Sequence, residues 1–165
     1  MRFQLLALLV AAAAANAARP VAPKSGAAMC VLTADDFKAA GVAGAGTPNA
    51  NVSDGGASAY CVYSGKSSAT GGIELDVFTS ESAADARGAE ETAAGESGGS
   101  GLKPMKLDGA DGARWMPDAS SGGPAYALLV VRRDRLVFVL GVPKHKDAEA
   151  QLRKLGALVL ARLAK

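Results

Sequence analysis

The chain has 165 residues, which is enough for one domain of ordinary size after an N-terminal targeting segment. Hydrophobic residues make up 49% of the chain but aromatic residues only 5%, which favours a core of aliphatic strands and alanine-rich helices. The net charge of +2 gives no overall attraction to polyanions, so no nucleic-acid partner is expected.

The first 17 residues have the organisation of a secretory signal peptide. Arg2 provides a basic start, residues 5–15 are uninterruptedly apolar, and Ala15-Asn16-Ala17 is a small-x-small cleavage site. The apolar run is too short to cross a bilayer, which takes roughly 20 residues as a helix. We therefore expect cleavage after residue 17, export to the periplasm or the extracellular space, and no stable membrane anchor afterwards.

The two cysteines, Cys30 and Cys61, are predicted to form a disulfide, which is the default for one pair in an exported chain. A reactive thiol is the alternative, but neither a CxxC motif nor a neighbouring histidine accompanies them. Residues 18–29 are rich in Pro, Ala and Gly and predict a flexible lead. A single domain is then expected over residues 30–165.

Helices are predicted near both ends of this domain and in its middle. Thr33 and Asp36 form a capping-box pattern before a short helix over residues 34–40. An alanine-rich helix is predicted over residues 82–94, where alanine packs closely but stabilises weakly. After Asp147, apolar residues recur with helical spacing to the end of the chain and predict a last helix.

Strands are predicted from alternating or continuous apolar runs. Residues 60–63 and 73–77 form a first hairpin after a Gly-, Ala- and Asn-rich loop over residues 43–58. Four further strands are predicted at residues 102–107, 113–116, 126–131 and 136–142. The expected class is α+β, an antiparallel twisted sheet with helices packed mainly on one face, in the order α-β-β-α-β-β-β-β-α.

Four arginines and the single tryptophan are the candidate binding residues. Arg132, Arg133 and Arg135 lie at a hairpin tip, and Arg114 and Trp115 lie in a neighbouring strand. Clustered guanidinium groups bind carboxylates and phosphates, so a small anionic ligand or an envelope protein is a candidate partner. Two plainer interpretations stay open, namely solubilising charge at the tip and a tryptophan that anchors the core.

No catalytic constellation is recognisable. His145 is the only histidine and stands between two lysines, so neither Ser-His-Asp chemistry nor a histidine metal site is predicted. Glu74, Asp76 and Glu81 are weighed as a glycosidase-like carboxylate set, against the plainer interpretation of a solvated strand face. The turn that begins at Asp108 lacks the ligand spacing of a calcium loop. No metal or other cofactor is therefore expected.

Charge is divided along the chain. Residues 33–96 carry ten acids and three bases, whereas residues 132–165 carry nine bases and three acids. Such segments are solvated faces, partners across the fold, or docking surfaces for a molecule of opposite charge. The sequence leaves these three interpretations open.

The layout resembles small exported bacterial domains, often lipoproteins, of unknown function. The residues that carry this resemblance are Cys30-Val31-Leu32-Thr33, Cys61-Val62-Tyr63 and the run LDGADGARW at 107–115, followed by the apolar hairpin and last helix. The resemblance implies a fold and a compartment but no activity, and no cysteine follows the signal core to carry a lipid. We expect a soluble, non-enzymatic binding or interaction module of the cell envelope. A carboxylate-based hydrolase and an inhibitor-like or structural envelope protein are the alternatives.

Overall fold

The computed structural model describes residues 24–64, 72–96, 101–119 and 125–163. The predicted signal peptide lies outside these described residues. The predicted α+β class with an antiparallel sheet is confirmed, since seven antiparallel strands form one sheet and helices pack against it.

The described chain contains three helices, seven strands and two short 3-10 turns. The helices are α1 (Ala34–Ala39), α2 (Ala83–Glu96) and α3 (Ala148–Leu163). The strands are β1 (Asn49–Ser53), β2 (Ser58–Val62), β3 (Glu74–Thr79), β4 (Lys103–Pro104), β5 (Gly112–Met116), β6 (Tyr126–Arg133) and β7 (Leu136–Pro143). The 3-10 turns are Gly26–Met29 and Asp54–Gly56.

The strand order across the sheet is β1-β2-β3-β7-β6-β5-β4. Two meanders, one of three strands and one of four, therefore meet where β3 pairs with β7. At this junction Glu74 lies opposite Gly141 and Thr79 lies opposite Leu136. The continuous apolar runs of β6 and β7 place them inside the sheet, as predicted.

The predicted order of elements is wrong in one place, because β1 lies within the segment predicted as a loop. The observed order is α-β-β-β-α-β-β-β-β-α. The strand Asn49–Ser53 has no apolar alternation and few residues that favour strands. Pairing with β2 holds it at the sheet edge, where Val52 remains 48% exposed.

The prediction that helices pack mainly on one face is corrected by α2. Helices α1 and α3 pack on the face that contains Leu129, whereas Ala93 of α2 packs against Val130 on the opposite face. Since β6 and β7 are apolar on both sides, both faces of the sheet have to be covered. The result is a three-layer arrangement with the sheet in the middle.

Helix α3 supplies the largest apolar contact with the sheet. The predicted stripe is confirmed, because Leu152, Leu155 and Val159 are fully buried. Gly156 lets the helix approach closely, since a Cβ atom there would lie 2.7 Å from Cδ2 of Leu129. In the part of the chain described here, no helix has both the length and the apolar character that a membrane crossing requires.

A crosslink fixes the entry to the domain. The predicted disulfide between Cys30 and Cys61 is present, with an S–S distance of 2.07 Å. It joins the segment before α1 to the buried face of β2. Met29, in the stretch predicted as a flexible lead, is 1% exposed and belongs to the core. Core packing therefore begins ahead of residue 30.

Helix α1 is capped as predicted and is tied to α3. The hydroxyl of Thr33 accepts a hydrogen bond from the backbone N–H of Asp36, and the Asp36 carboxylate accepts one from the N–H of Thr33 at 2.7 Å. Arg162 of α3 donates to both carboxylate oxygens of Asp36, one of them at 2.8 Å. The hydrogen bond from Arg162 is the main reason that the pKa of Asp36 is lowered to about 2.

Helix α2 is held by an ion pair as well as by alanines. Glu90 is 5% exposed and lies 2.8 Å from Nε of Arg132 on β6, and Nε of Arg114 approaches it at 3.6 Å. A Cβ atom at Gly112 would lie 2.9 Å from Glu90, so the carboxylate reaches the sheet backbone. This pair and the Asp36–Arg162 pair show that the acidic and basic segments of the chain are partners across the fold.

Candidate functional site

A cleft of about 350 Å³ lies between α2 and strands β2 and β3, and we call it the acidic cleft. Three of its side chains are carboxylic acids, and no lysine, arginine or histidine is among the described residues that line it. The lining residues are Tyr60, Glu74, Asp76, Phe78, Ala89, Thr92, Ala93, Glu96 and Val139. Its volume is at the lower end of the range for small-molecule sites.

Strand register explains why these side chains converge. Tyr60 on β2 lies opposite Asp76 on β3, and Asp76 lies opposite Val139 on β7, so all three share one face. Helix α2 packs over β6 and β7 on this face and leaves β2 and β3 open beside it. Gly141 provides space next to Glu74, because a Cβ atom at that position would lie 3.3 Å from Cγ of the glutamate.

Glu74 and Tyr60 form the floor of the acidic cleft. The Tyr60 hydroxyl donates a short hydrogen bond to Oε2 of Glu74, and Glu74 is only 9% exposed. Burial, and after it the hydrogen bond to Glu74, raises the pKa of Tyr60 well above its ordinary value. The phenol therefore keeps its proton and remains a hydrogen-bond donor to the carboxylate throughout the neutral range.

Asp76 is a partly buried carboxylic acid of the cleft with a raised pKa. Burial raises its pKa to about 6, with a further contribution from the charge of Glu74, while the backbone N–H of Val77 acts in the opposite direction. Burial and the Glu74 charge also raise the pKa of Tyr126. The described lining residues supply three carboxylic acids and no basic side chain, which favours a positively charged occupant.

The carboxylates weighed in the sequence do not all come together. Glu74 and Asp76 share the cleft, but Glu81 is exposed outside it, before α2 begins. The expected solvated strand face is wrong for Glu74, which is 9% exposed and packs beside Tyr60 and Gly141. Tyr60 and Glu96 were not anticipated as site residues. Nothing in a lone tyrosine or in the end of an alanine-rich helix signals that they share a cleft.

The four candidate arginines do not form one cluster. Arg132 is held by Glu90 and by Asp111 at 3.4 Å, with only 11% of its side chain exposed. Arg114 approaches the same glutamate but is 45% exposed. The remaining two, Arg133 and Arg135, lie near the β6–β7 turn, where Arg135 donates to the backbone oxygen of residue 81 at 3.4 Å.

Trp115 lies on the other face of the sheet, half-buried against the α3-side core. The ammonium group of Lys103 lies 6.0 Å from the centroid of its ring system. His145 is exposed, with Nδ1 3.4 Å from a carboxylate oxygen of Asp147. The Asp108 turn is a tight turn as predicted, with Gly109 at φ 82°, and no group of three or more metal-ligating side chains occurs among the described residues.

The acidic cleft brings together three carboxylic acids, and the pKa values of Tyr60 and Asp76 are raised in it, so its interpretation rests on its own chemistry. No protein-family model matches the chain, and comparison with curated proteins and with solved structures likewise gave no significant match.

Proposed function

We propose that this protein is an exported, non-enzymatic binding module that holds a small organic cation in the acidic cleft. The observation that carries the proposal is the convergence of Glu74, Asp76 and Glu96 in a cleft whose described lining residues include no lysine, arginine or histidine. A cleft with apolar walls and a few convergent polar groups is the usual form of a small-molecule site.

The chemistry of the lining favours an ammonium group attached to an apolar body. An ammonium donates up to three hydrogen bonds, which Asp76 and Glu96 accept from opposite sides of the cleft. Phe78 and Val139 offer apolar contact to the rest of the molecule, and the faces of Tyr60 and Phe78 attract a cation. An occupant of this kind places positive charge beside the three carboxylic acids of the described lining.

Export is supported by two features of the chain. The predicted signal peptide directs it out of the cytoplasm, and the Cys30–Cys61 disulfide is typical of proteins that work in oxidising compartments. The resemblance to small exported bacterial domains points the same way. We therefore assign the module to the periplasm or the extracellular space, where it acts alone or with an envelope protein.

The test is calorimetric titration of the mature chain with benzylamine and with tetramethylammonium. We expect Asp76→Asn to weaken benzylamine binding by about tenfold, because it removes one charge-assisted hydrogen bond. Glu81→Gln is the matched control, since it removes an equal charge outside the cleft. The proposal would be overturned if neither cation showed saturable binding, or if the two variants lost benzylamine affinity equally.

The pH dependence of binding provides a second check. The pKa of Asp76 is about 6, so the carboxylate that attracts a cation is ionised above that pH and protonated below it. We expect benzylamine affinity to rise between about pH 5 and pH 7 and then to level off. In Asp76→Asn the affinity should be flat across this range.

A carboxylate-based hydrolase is the second candidate, and one observation favours it. A carboxyl group with a pKa of about 6 has the property of a general acid, and Asp76 lies in the cleft with a second carboxylic acid, Glu74. Turnover of aryl glycosides or esters that is lost in both Asp76→Asn and Glu74→Gln would establish this function. Binding without turnover would exclude it for these substrates.

A further inference from the structure

A second cleft, of about 490 Å³, lies where β7 runs into α3, and we call it the basic cleft. Its side chains come from the end of β5 and from the connection between β7 and α3. The lining residues are Trp115, Pro117, Lys144, His145, Lys146 and Glu149. Trp115 packs on the α3-side core, so this cleft and the acidic cleft lie on opposite faces of the sheet.

We propose that the basic cleft binds an anion that carries a flat apolar group, such as an aromatic carboxylate or phosphate. This site is independent of the acidic cleft, and the inference goes beyond the cation-binding function proposed above. A small anionic ligand is one of the candidate partners expected from the sequence. The proposed site for it contains Trp115 but not the arginines at the hairpin tip.

The side chains that line the basic cleft include two lysines and one acid, while Asp147 lies beside the lining, 3.4 Å from Nδ1 of His145. Glu149, the one acid in the lining, is paired with Arg153 at 2.8 Å. Lys144 is paired with Asp118 at 2.5 Å. Lys146 has no ion pair in the described part of the chain, and it leaves a positive charge at the mouth of the cleft.

The indole of Trp115 supplies the flat surface. Lys103, which lies opposite Trp115 in the β4–β5 pair, places its ammonium group 6.0 Å from the ring centroid. Lys103 is not among the residues that line the cleft, so a planar group stacked on the indole has the lining residue Lys146 available for its anionic substituent. Pro117 adds a rigid apolar wall.

The N-terminal end of α3 also favours an anion at the basic cleft. The first residue of α3, Ala148, comes two positions after Lys146, with Asp147 between them, and the helix runs for 16 residues. The N-terminal end of a helix carries partial positive charge, which adds to the attraction for an anion. The helix end reinforces the cleft, but the aromatic wall and the lysines define the chemistry.

The single tryptophan makes the site directly observable. We would titrate the mature protein, at constant ionic strength, with benzoate and with phenyl phosphate while exciting only the indole. The expected result is a saturable change in Trp115 emission with a dissociation constant of about 1 mM or below. Benzyl alcohol, which has the ring without the charge, should bind at least about tenfold more weakly. No saturable change with either anion, or equal affinity for the alcohol, would overturn the proposal.

Variants separate this site from general charge effects. Lys146→Gln should weaken benzoate binding by about fivefold, because it removes one charged partner of the anion. Lys38→Gln removes the same charge from exposed α1 and should leave binding unchanged. An equal loss of benzoate affinity in both variants would refute a specific site at the basic cleft.

The two proposed sites also fail separately. Asp76→Asn belongs to the acidic cleft on the other face of the sheet, and we expect it to leave the benzoate titration unchanged. If amines fail to bind but the Trp115 titration behaves as expected, only the cation site is refuted. The converse result refutes the basic cleft alone.

Discussion

The ion pair between Asp36 and Arg162 makes a specific prediction about acid stability. The pKa of Asp36 falls from 3.8 to about 2 on folding, which at about 1.36 kcal/mol per pKa unit corresponds to at most about 2.5 kcal/mol. Since 35% of the Arg162 side chain is exposed, solvent screening reduces the expected contribution to about 1 kcal/mol. Asp36→Asn removes this charge but keeps an oxygen that accepts from the N–H of Thr33.

The sign of the pH effect follows from the direction of the shift. A carboxyl group whose pKa is lower in the folded state stabilises the fold above its unfolded pKa, and the effect disappears as pH falls through the folded value. Asp36→Asn should therefore be less stable than the unmodified protein by about 1 kcal/mol near pH 6. This difference should shrink below about pH 4 and vanish near pH 2.

Urea unfolding of both proteins across this pH range is the measurement. Asp35→Asn, an exposed neighbour in the same helical turn, is the control and should show at most a small difference. A difference between Asp36→Asn and the unmodified protein that is independent of pH would refute the reasoning. It would place the effect of Asp36 in the cap or in packing instead of in the ion pair.

Three further perturbations test the architecture by unfolding measurements. Glu90→Gln should lose about 2 kcal/mol, since it removes the nearer countercharge of the buried Arg132 and leaves the more distant Asp111 at 3.4 Å. Arg114→Gln should change stability by less than about 0.5 kcal/mol, and equal effects of the two variants would argue against the buried pair. Gly156→Ala should destabilise by about 1 kcal/mol because of the close approach of α3 to the sheet, while Gly88→Ala on open α2 should stabilise by about 0.5–1 kcal/mol. Reducing the disulfide, whose cysteines are 31 residues apart, should cost about 3–4 kcal/mol, and unchanged urea midpoints with and without reductant would contradict this.

Local features of the fold were readable from the sequence because their physics is local. The capping box of Thr33 and Asp36 involves residues three apart, and the α3 stripe is a periodic pattern in one segment. The apolar runs of β6 and β7 identified the inner strands for the same reason. Strand β1 was not predicted, because it buries few side chains of its own and is held in place by pairing with β2.

The candidate site was less predictable because it is made of distant residues. Glu74 alternates with apolar residues as a solvated side chain does, but it is 9% exposed beside Tyr60 of β2 and Gly141 of β7, which are far from it in the sequence. The pair of Glu90 and Arg132, which helps to fix α2 against the sheet, joins residues 42 positions apart. Contacts between residues so far apart in the chain leave no recognisable pattern in a single sequence.

The arrangement of the two meanders makes the halves of the molecule mutually dependent. The first meander continues into α2, which packs on β6 and β7 of the second meander. The second meander continues into α3, whose Arg162 binds Asp36 of α1. Each half thus covers apolar surface that the other exposes, and the junction of β3 with β7 closes only when both are present. A chain cut between residues 96 and 101 should therefore behave as two complementary fragments, each unable to fold alone and both ordered on mixing.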